Sequence, residues 1–209
     1  TDDRFLILHV DDLGDVWVGG ASGFSQYEGT RLKTFRTADG LTHDKAIFLL
    51  QDREGALWVG TDRGVSRYDG DEWSVLTTED GLASDKVTAI YQTQDGDLWF
   101  GTMGAGVSHF DGQKWSTLSI GDGLIYSSVV AILEDRDGFL WFATYGGVSR
   151  YDARVSTVFG SDDGLPEGGV HFIFPDDAGR LWFGLGSLLE GEGGDQIYDG
   201  EEVFTYTTD

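Results

Sequence analysis

The sequence predicts an all-β protein: a five-bladed β-propeller with four antiparallel strands per blade. Three observations carry this. One sentence is written five times: DDLGDVWVGGASGFSQYEGTRLKTF at 11–35, DREGALWVGTDRGVSRYDGDEWSVL at 52–76, DGDLWFGTMGAGVSHFDGQKWSTL at 95–118, DRDGFLWFATYGGVSRYDARVSTV at 135–158, and a stretched DDAGRLWFGLGSLLEGEGGDQIYDGEEVF at 176–204. Two anchors keep one period. Trp17, Trp58, Trp99, Trp141 and Trp182 are spaced by 41, 41, 42 and 41 residues, and Asp-Gly-Leu at 39–41, 80–82, 122–124 and 163–165 repeats in step. Within each unit, short apolar runs alternate with turn residues, and no segment has a helical period.

The elements of one unit follow in order. Residues 87–93, VTAIYQT, are β-branched and aromatic, which predicts a strand. Gln94-Asp95-Gly96 is turn chemistry, LWFGT at 98–102 a second strand, and VSHF at 107–110 a third. Asp111-Gly112 marks a hairpin and KWSTLS at 114–119 a fourth strand. Four strands in about 41 residues is the size of a propeller blade. The recurring Trp belongs on a blade face, filling the gap to the next blade. Burying about 150–250 Å² apiece at ~25 cal/mol/Å² gives about 4–6 kcal/mol each as an upper figure. One blade cannot bury its apolar face alone, which explains why the sentence repeats.

Counting from the anchors, the chain holds five whole repeats as one domain, 1–209. The blades run roughly 1–38, 39–79, 80–121, 122–162 and 163–209, each starting at its innermost strand. This phase predicts a closed ring with no strand exchanged between first and last blades; part of a larger ring is the structural alternative. The chain opens on Thr1, which points to a processed or excised piece.

Composition bounds the function. Gly is 32 of 209 and Pro only 2, with 13% aromatics, so the glycines serve turns in a packed protein. The net charge of −23 disfavours nucleic acid and anionic membrane surfaces as partners. The absence of Cys excludes a disulfide framework and a thiolate metal site. No apolar run approaches the ~20 residues of a membrane helix, and the expectation is a monomer.

The motif Val87-Thr88-Ala89-Ile90, Asp95-Gly96-Asp97-Leu98-Trp99-Phe100-Gly101-Thr102, Gly106-Val107, with Asp-Gly-Leu ahead of the first strand, resembles the two-component regulator propeller repeat. The resemblance covers all five repeats. It implies a ligand sensor placed outside the cytoplasm, periplasmic or secreted, often taking glycans. The family's larger rings, membrane span and kinase are not in this sequence. The repeat is also similar to that of streptogramin lyases, propeller enzymes with a catalytic His on one face.

In repeats, function shows as departures. The clearest departure is the loop 185–195, and the loops entering the first strands also vary, reading Asp2, His43, Ser84, Tyr126 and Glu167, then Asp3, Asp44, Asp85, Ser127 and Gly168. Tyr126 with His43, Asp44, Asp85 and Glu167 suits a sugar: the ring stacks on C–H faces and the carboxylates accept hydroxyl hydrogen bonds. His171, replacing Leu6, Ile47, Thr88 and Val130, is a sixth candidate and would serve a lyase-like reading with His43. His109 is expected at the surface and His9 buried. The long loop 185–195 brings Glu190, Glu192 and Asp195 among glycines, a candidate Ca²⁺ site, with a solvated acidic insertion as the alternative. The D-x-x-G turns, Asp11–Gly14, Asp52–Gly55, Asp135–Gly138 and Asp176–Gly179, are explained by Asp caps without a metal. No phosphate loop, zinc motif or nucleophile elbow is present. No cofactor is implied beyond that Ca²⁺. The expected function is recognition of a glycan or other small polar ligand at the channel mouth, with a protein-interaction scaffold as the alternative.

Overall fold

The computed structural model describes residues 5–21, 23–153, 156–165, 169–185 and 195–206. It contains five four-stranded antiparallel sheets, each a meander of four consecutive strands. The first blade is β1 (Phe5–Val10), β2 (Val16–Gly20), β3 (Gly23–Tyr27) and β4 (Leu32–Phe35). The second is β5 (Ala46–Gln51), β6 (Leu57–Thr61), β7 (Gly64–Tyr68) and β8 (Trp73–Leu76). The third is β9 (Val87–Gln92), β10 (Leu98–Thr102), β11 (Val107–Phe110) and β12 (Trp115–Leu118). The fourth is β13 (Val129–Glu134), β14 (Leu140–Thr144), β15 (Gly147–Tyr151) and β16 (Ser156–Phe159). The fifth is β17 (Val170–Pro175), β18 (Leu181–Leu185), β19 (Asp195–Tyr198) and β20 (Val203–Tyr206). The protein is thus all-β with five propeller blades, and none of the five sheets borrows a strand from another.

Two compact units are distinguished: Thr1–Thr102 with Ser108–Ser116, and Met103–Val107 with Thr117–Asp209. In the first, two cores lie between neighbouring blades. Trp17, Phe24 and Phe35 pack with Leu41, Ala46, Leu57 and Val59 of the second blade. Trp58 and Val65 pack with Leu82, Val87, Leu98 and Phe100 of the third. In the second unit Trp141, Ala143 and Val148 pack with Leu165, Val170, Leu181 and Phe183 of the fifth. The blade-face role read for these tryptophans holds in all three joints.

The motif residues acquire specific work. In four blades the turn aspartate accepts backbone N–H groups two and four residues on through Oδ1, and the tryptophan indole N–H through Oδ2. The indole bonds are Trp17 to Asp11 at 2.8 Å, Trp58 to Asp52 at 2.7 Å, Trp141 to Asp135 at 2.7 Å and Trp182 to Asp176 at 3.1 Å. One carboxylate therefore fixes both the turn and the ring orientation. The third blade has Thr93 at this position. There Trp99 stacks on His109 at 4.1 Å, and His109 is held by Asp97 at 2.7 Å and Ser116 at 3.2 Å. His109 is half-buried against that ring, not a free surface residue. His9 is likewise half-buried, its Nε2 3.5 Å from Gln51.

Asp-Gly-Leu closes a tight turn, a 3-10 turn ending on Asp39, Asp122 and Asp163 in three of the four copies, an element absent from the strand-only sequence reading. Its Asp accepts the N–H three residues back: Asp39 from Arg36, Asp80 from Thr77, Asp122 from Ser119, Asp163 from Gly160. Its Gly takes a left-handed backbone, φ +121° at Gly81, and a Cβ there would stand 2.4 Å from the Trp115 ring. Its Leu is buried in each of the four copies, at 41, 82, 124 and 165. The buried serines 66, 108 and 149 then receive the backbone N–H of Thr42, Ala83 and Ile125 in the entry loops. A bulge recurs in each first-strand pair, for example between Ala46 and Phe48 and between Val129 and Ala131. The entry loops of the second, third and fourth blades are set by the same devices, so differences in their side chains are free to carry function.

Candidate functional site

Two loop sets share one edge of each blade: the loops entering the first strand and the hairpins joining the second and third. In the first unit these loops hold His43, Asp44 and Asp85. Asp44 Oδ1 accepts the Thr37 N–H at 2.8 Å, and Asp85 Oδ1 accepts that of Thr78 at 2.7 Å. The Asp85 carbonyl also accepts the Gly64 N–H of the neighbouring hairpin at 2.6 Å. Both aspartates thus already use a carboxylate oxygen to tie the entry loop to the preceding turn. His43 Nδ1 lies 2.9 Å from Asp62 Oδ1 and 3.2 Å from the Lys45 N–H. With Nδ1 bare, the ring accepts the Lys45 N–H and leaves the enclosed Asp62 oxygen without a donor. In the Nδ1–H tautomer the ring donates to that oxygen instead.

The second unit holds Tyr126 and His171. Tyr126 is 45% exposed and lies against Gly146, where a Cβ would stand 3.1 Å from the tyrosine Cβ and 3.3 Å from its ring. Tyr145, next in chain to that glycine, is 40% exposed, and its ring centre is 5.2 Å from that of His171, tilted by 55°. Gly169 makes this approach possible: its φ is +79°, and a Cβ would sit 2.4 Å from the Tyr145 Cα. The loops of the fourth and fifth blades therefore bring three exposed rings, Tyr126, Tyr145 and His171, along one edge. Tyr145 was missed by the sequence reading, which compared side chains position by position in the entry loops but not in the short second hairpins. Setting Thr144-Tyr145-Gly146-Gly147 beside Thr61-Asp62-Arg63-Gly64 would have shown the aromatic departure.

Glu167, Glu190 and Glu192 lie outside the described residues, as does the side chain of Asp195, whose backbone begins β19. Among the described residues no three His, Asp or Glu converge as a metal site. No described helix is long and apolar enough to cross a membrane.

On the opposite edge several turn aspartates are held in the charged form. Asp176 is lowered to about 2, first by the Trp182 indole N–H and then by Arg180, whose Nε is 2.7 Å away. Asp69, Asp111 and Asp199 are lowered by backbone N–H groups of their own hairpins; on the entry-loop edge, Asp122 is lowered by the Ser119 hydroxyl. These shifts come from turn capping within each blade, and their causes are structural.

Comparisons with known proteins agree with this construction. The two component regulator propeller family matches at residues 40–63, 81–104 and 123–146. No curated protein matches the chain. Among solved structures, the chain is similar to the extracellular domain of BT3049 of B. thetaiotaomicron, assigned to the hybrid two component systems. Identity is 25% and the TM-score 0.81, over 98% of this chain and 29% of that one. The extracellular domain of BT4673 of the same organism gives 22% and 0.81, over 100% and 32%. This chain therefore spans about a third or less of those domains. Virginiamycin B lyase of Staphylococcus aureus gives 18% and 0.73, over 100% and 72%, a likeness of fold alone. The five-bladed, all-β chain thus carries three segments, one leading into each of its second, third and fourth blades, that match the two component regulator propeller repeat.

Proposed function

We propose that this protein is a non-catalytic ligand-binding module of the sensor type, working outside the cytoplasm, that recognises a glycan through Tyr126 and Tyr145. The observation that carries this reading is the pair of exposed tyrosines beside His171, placed by glycines that admit close approach. Exposed aromatic faces on rigid hairpins suit the apolar C–H face of a sugar, and phenol and imidazole groups at the rim suit its hydroxyls. The similarity to extracellular sensor domains supports the location and the sensing role. Asp44 and Asp85, with an oxygen each engaged in loop structure, are secondary to the tyrosines in this reading.

The test is a thermal-shift screen against a glycan panel, with calcium and with chelator. A ligand that binds only the folded state raises Tm, by about 2.7 kcal/mol of stabilisation at a hundredfold excess over Kd. The expected result is a shift with one sugar class that is lost in Tyr126→Ala and Tyr145→Ala. A shift seen with calcium alone would move the site to the 185–195 loop. No shift with any sugar would count against the reading.

A further inference from the structure

One residue of the third strand stands across the sheet from the anchor tryptophan: Gln26 opposite Trp17, Arg67 opposite Trp58 and Arg150 opposite Trp141. In the first and third blades the third strand finds a carboxylate within its own blade. Gln26 donates to Asp15 at 2.8 Å, and His109, stacked on Trp99, is 2.7 Å from Asp97. Both acids stand two residues ahead of the tryptophan. In the fourth blade Phe139 takes that place, and the residue to be partnered is an arginine. The Arg150 guanidinium lies over the Phe139 ring, 3.6 Å from its centre, and 5.7 Å from that of Trp141. Its Nε is enclosed without a hydrogen-bond partner, and among the described residues the guanidinium enters no ion pair.

Arg150 lines a cavity of about 300 Å³ between the fourth and fifth blades, inside the second compact unit and on the edge opposite Tyr126 and Tyr145. Buried Trp141, Leu181 and Tyr198 form its apolar wall, and Asp135, Arg136 and Asp137 its polar one. Asp135 uses both oxygens on its own turn and the indole, and Arg136 Nη2 donates to the carbonyls of Asp176 and Asp177. Arg150 and the exposed carboxylate of Asp137 remain. A guanidinium held over a ring keeps its N–H fork for a planar carboxylate, and a cavity of this size takes a small molecule. We propose that this cavity binds a small monocarboxylic acid with a flat apolar body, its carboxylate on Arg150 and its body against Trp141 and Tyr198. The ligand supplies the carboxylate that Asp15 and Asp97 supply in the first and third blades. Asp137 repels a second negative charge, which selects monoanions. The site is separate from the tyrosine edge and does not depend on sugar binding there.

Fluorine NMR of para-fluorobenzoate titrated with the protein tests this, with para-fluorobenzamide as the neutral control. The benzoate signal should shift and broaden saturably with wild type, and the benzamide signal should not. Arg150→Gln should weaken binding at least about tenfold, because it removes a charge-assisted pair of hydrogen bonds. Phe139→Asp should do the same by giving Arg150 an internal carboxylate, as Asp97 does for His109. Asp15, Asp97 and Arg180 stand at this position in other blades, so a polar residue there is compatible with the fold. Tyr145→Ala should bind the benzoate like wild type. No saturable response from wild type overturns the proposal, as does equal binding of the benzamide, wild-type affinity in a folded Arg150→Gln or Phe139→Asp, or loss of binding in Tyr145→Ala. Circular dichroism checks folding. If Arg150→Gln does not fold, Arg150→Lys, which keeps the charge without the fork, replaces it with the same outcomes decisive.

Discussion

Asp52 shows how much one side chain does in this repeat. Its two oxygens accept from Glu54, Ala56 and the Trp58 indole, and it is 6% exposed. Removing them leaves buried donors without partners in one step. Asp52→Ala is expected to cost on the order of 3 kcal/mol, read by urea unfolding followed by tryptophan fluorescence. A loss under about 1 kcal/mol would contradict the clamp. Glycines divide in the same experiment. Gly55, at φ +88°, has open space where a Cβ would go, so Gly55→Ala carries only left-handed strain, about 1–2 kcal/mol. Gly81→Ala adds a collision with Trp115 and is expected to cost clearly more. Equal losses would show that the ring yields freely. The cap role of the turn aspartates was legible in D-x-x-G. The indole bond was not read, although a constant Asp-to-Trp spacing of six signals it in four blades. Thr93 breaks that spacing rule, and His109 takes over the orienting role for Trp99 through a contact between strands that sequence order conceals.

At the scale of elements, the third blade's strands were legible to within a residue or two, because alternation and turn chemistry agree there. The 3-10 turns were hidden inside Asp-Gly-Leu, since three residues are too few to show a period. The turn at 176–180 gives a pH prediction. The folded pKa of Asp176, about 2, lies below its ordinary value of about 3.9. A depressed carboxylate adds stability that is fully present above about pH 4 and lost as pH falls through about 2. Melting temperatures taken from pH 5 to pH 2 should fall for wild type and fall less steeply for Asp176→Asn. Parallel curves would contradict the assignment. Asp69, Asp111, Asp122 and Asp199, lowered by turn donors, act in the same direction.

For the whole molecule, the repeat settled blade number and strand count from two anchors, because periodicity compounds weak local signals. The site was legible only in part. Tyr126 and His171 stood out as departures in their columns, whereas Tyr145 sits in a hairpin as short as that of the second blade and became visible through contacts made by loops of two blades. Gly169, which stands in a column with Arg4, Lys45, Lys86 and Ser128 that was not compared, proved to be what lets Tyr145 approach. Function in such a protein rests on side chains grafted onto a repeating frame, and likeness of frame says little about ligand. The account therefore stands or falls on the tyrosines. The most direct measurement is isothermal titration of the best panel sugar into wild type and Tyr145→Ala, a half-exposed position whose loss leaves the cores intact. Loss of stacking worth about 1–1.5 kcal/mol predicts roughly tenfold weaker binding in a variant that melts like wild type. Equal affinity in the two proteins would contradict the claim that this edge is the binding site.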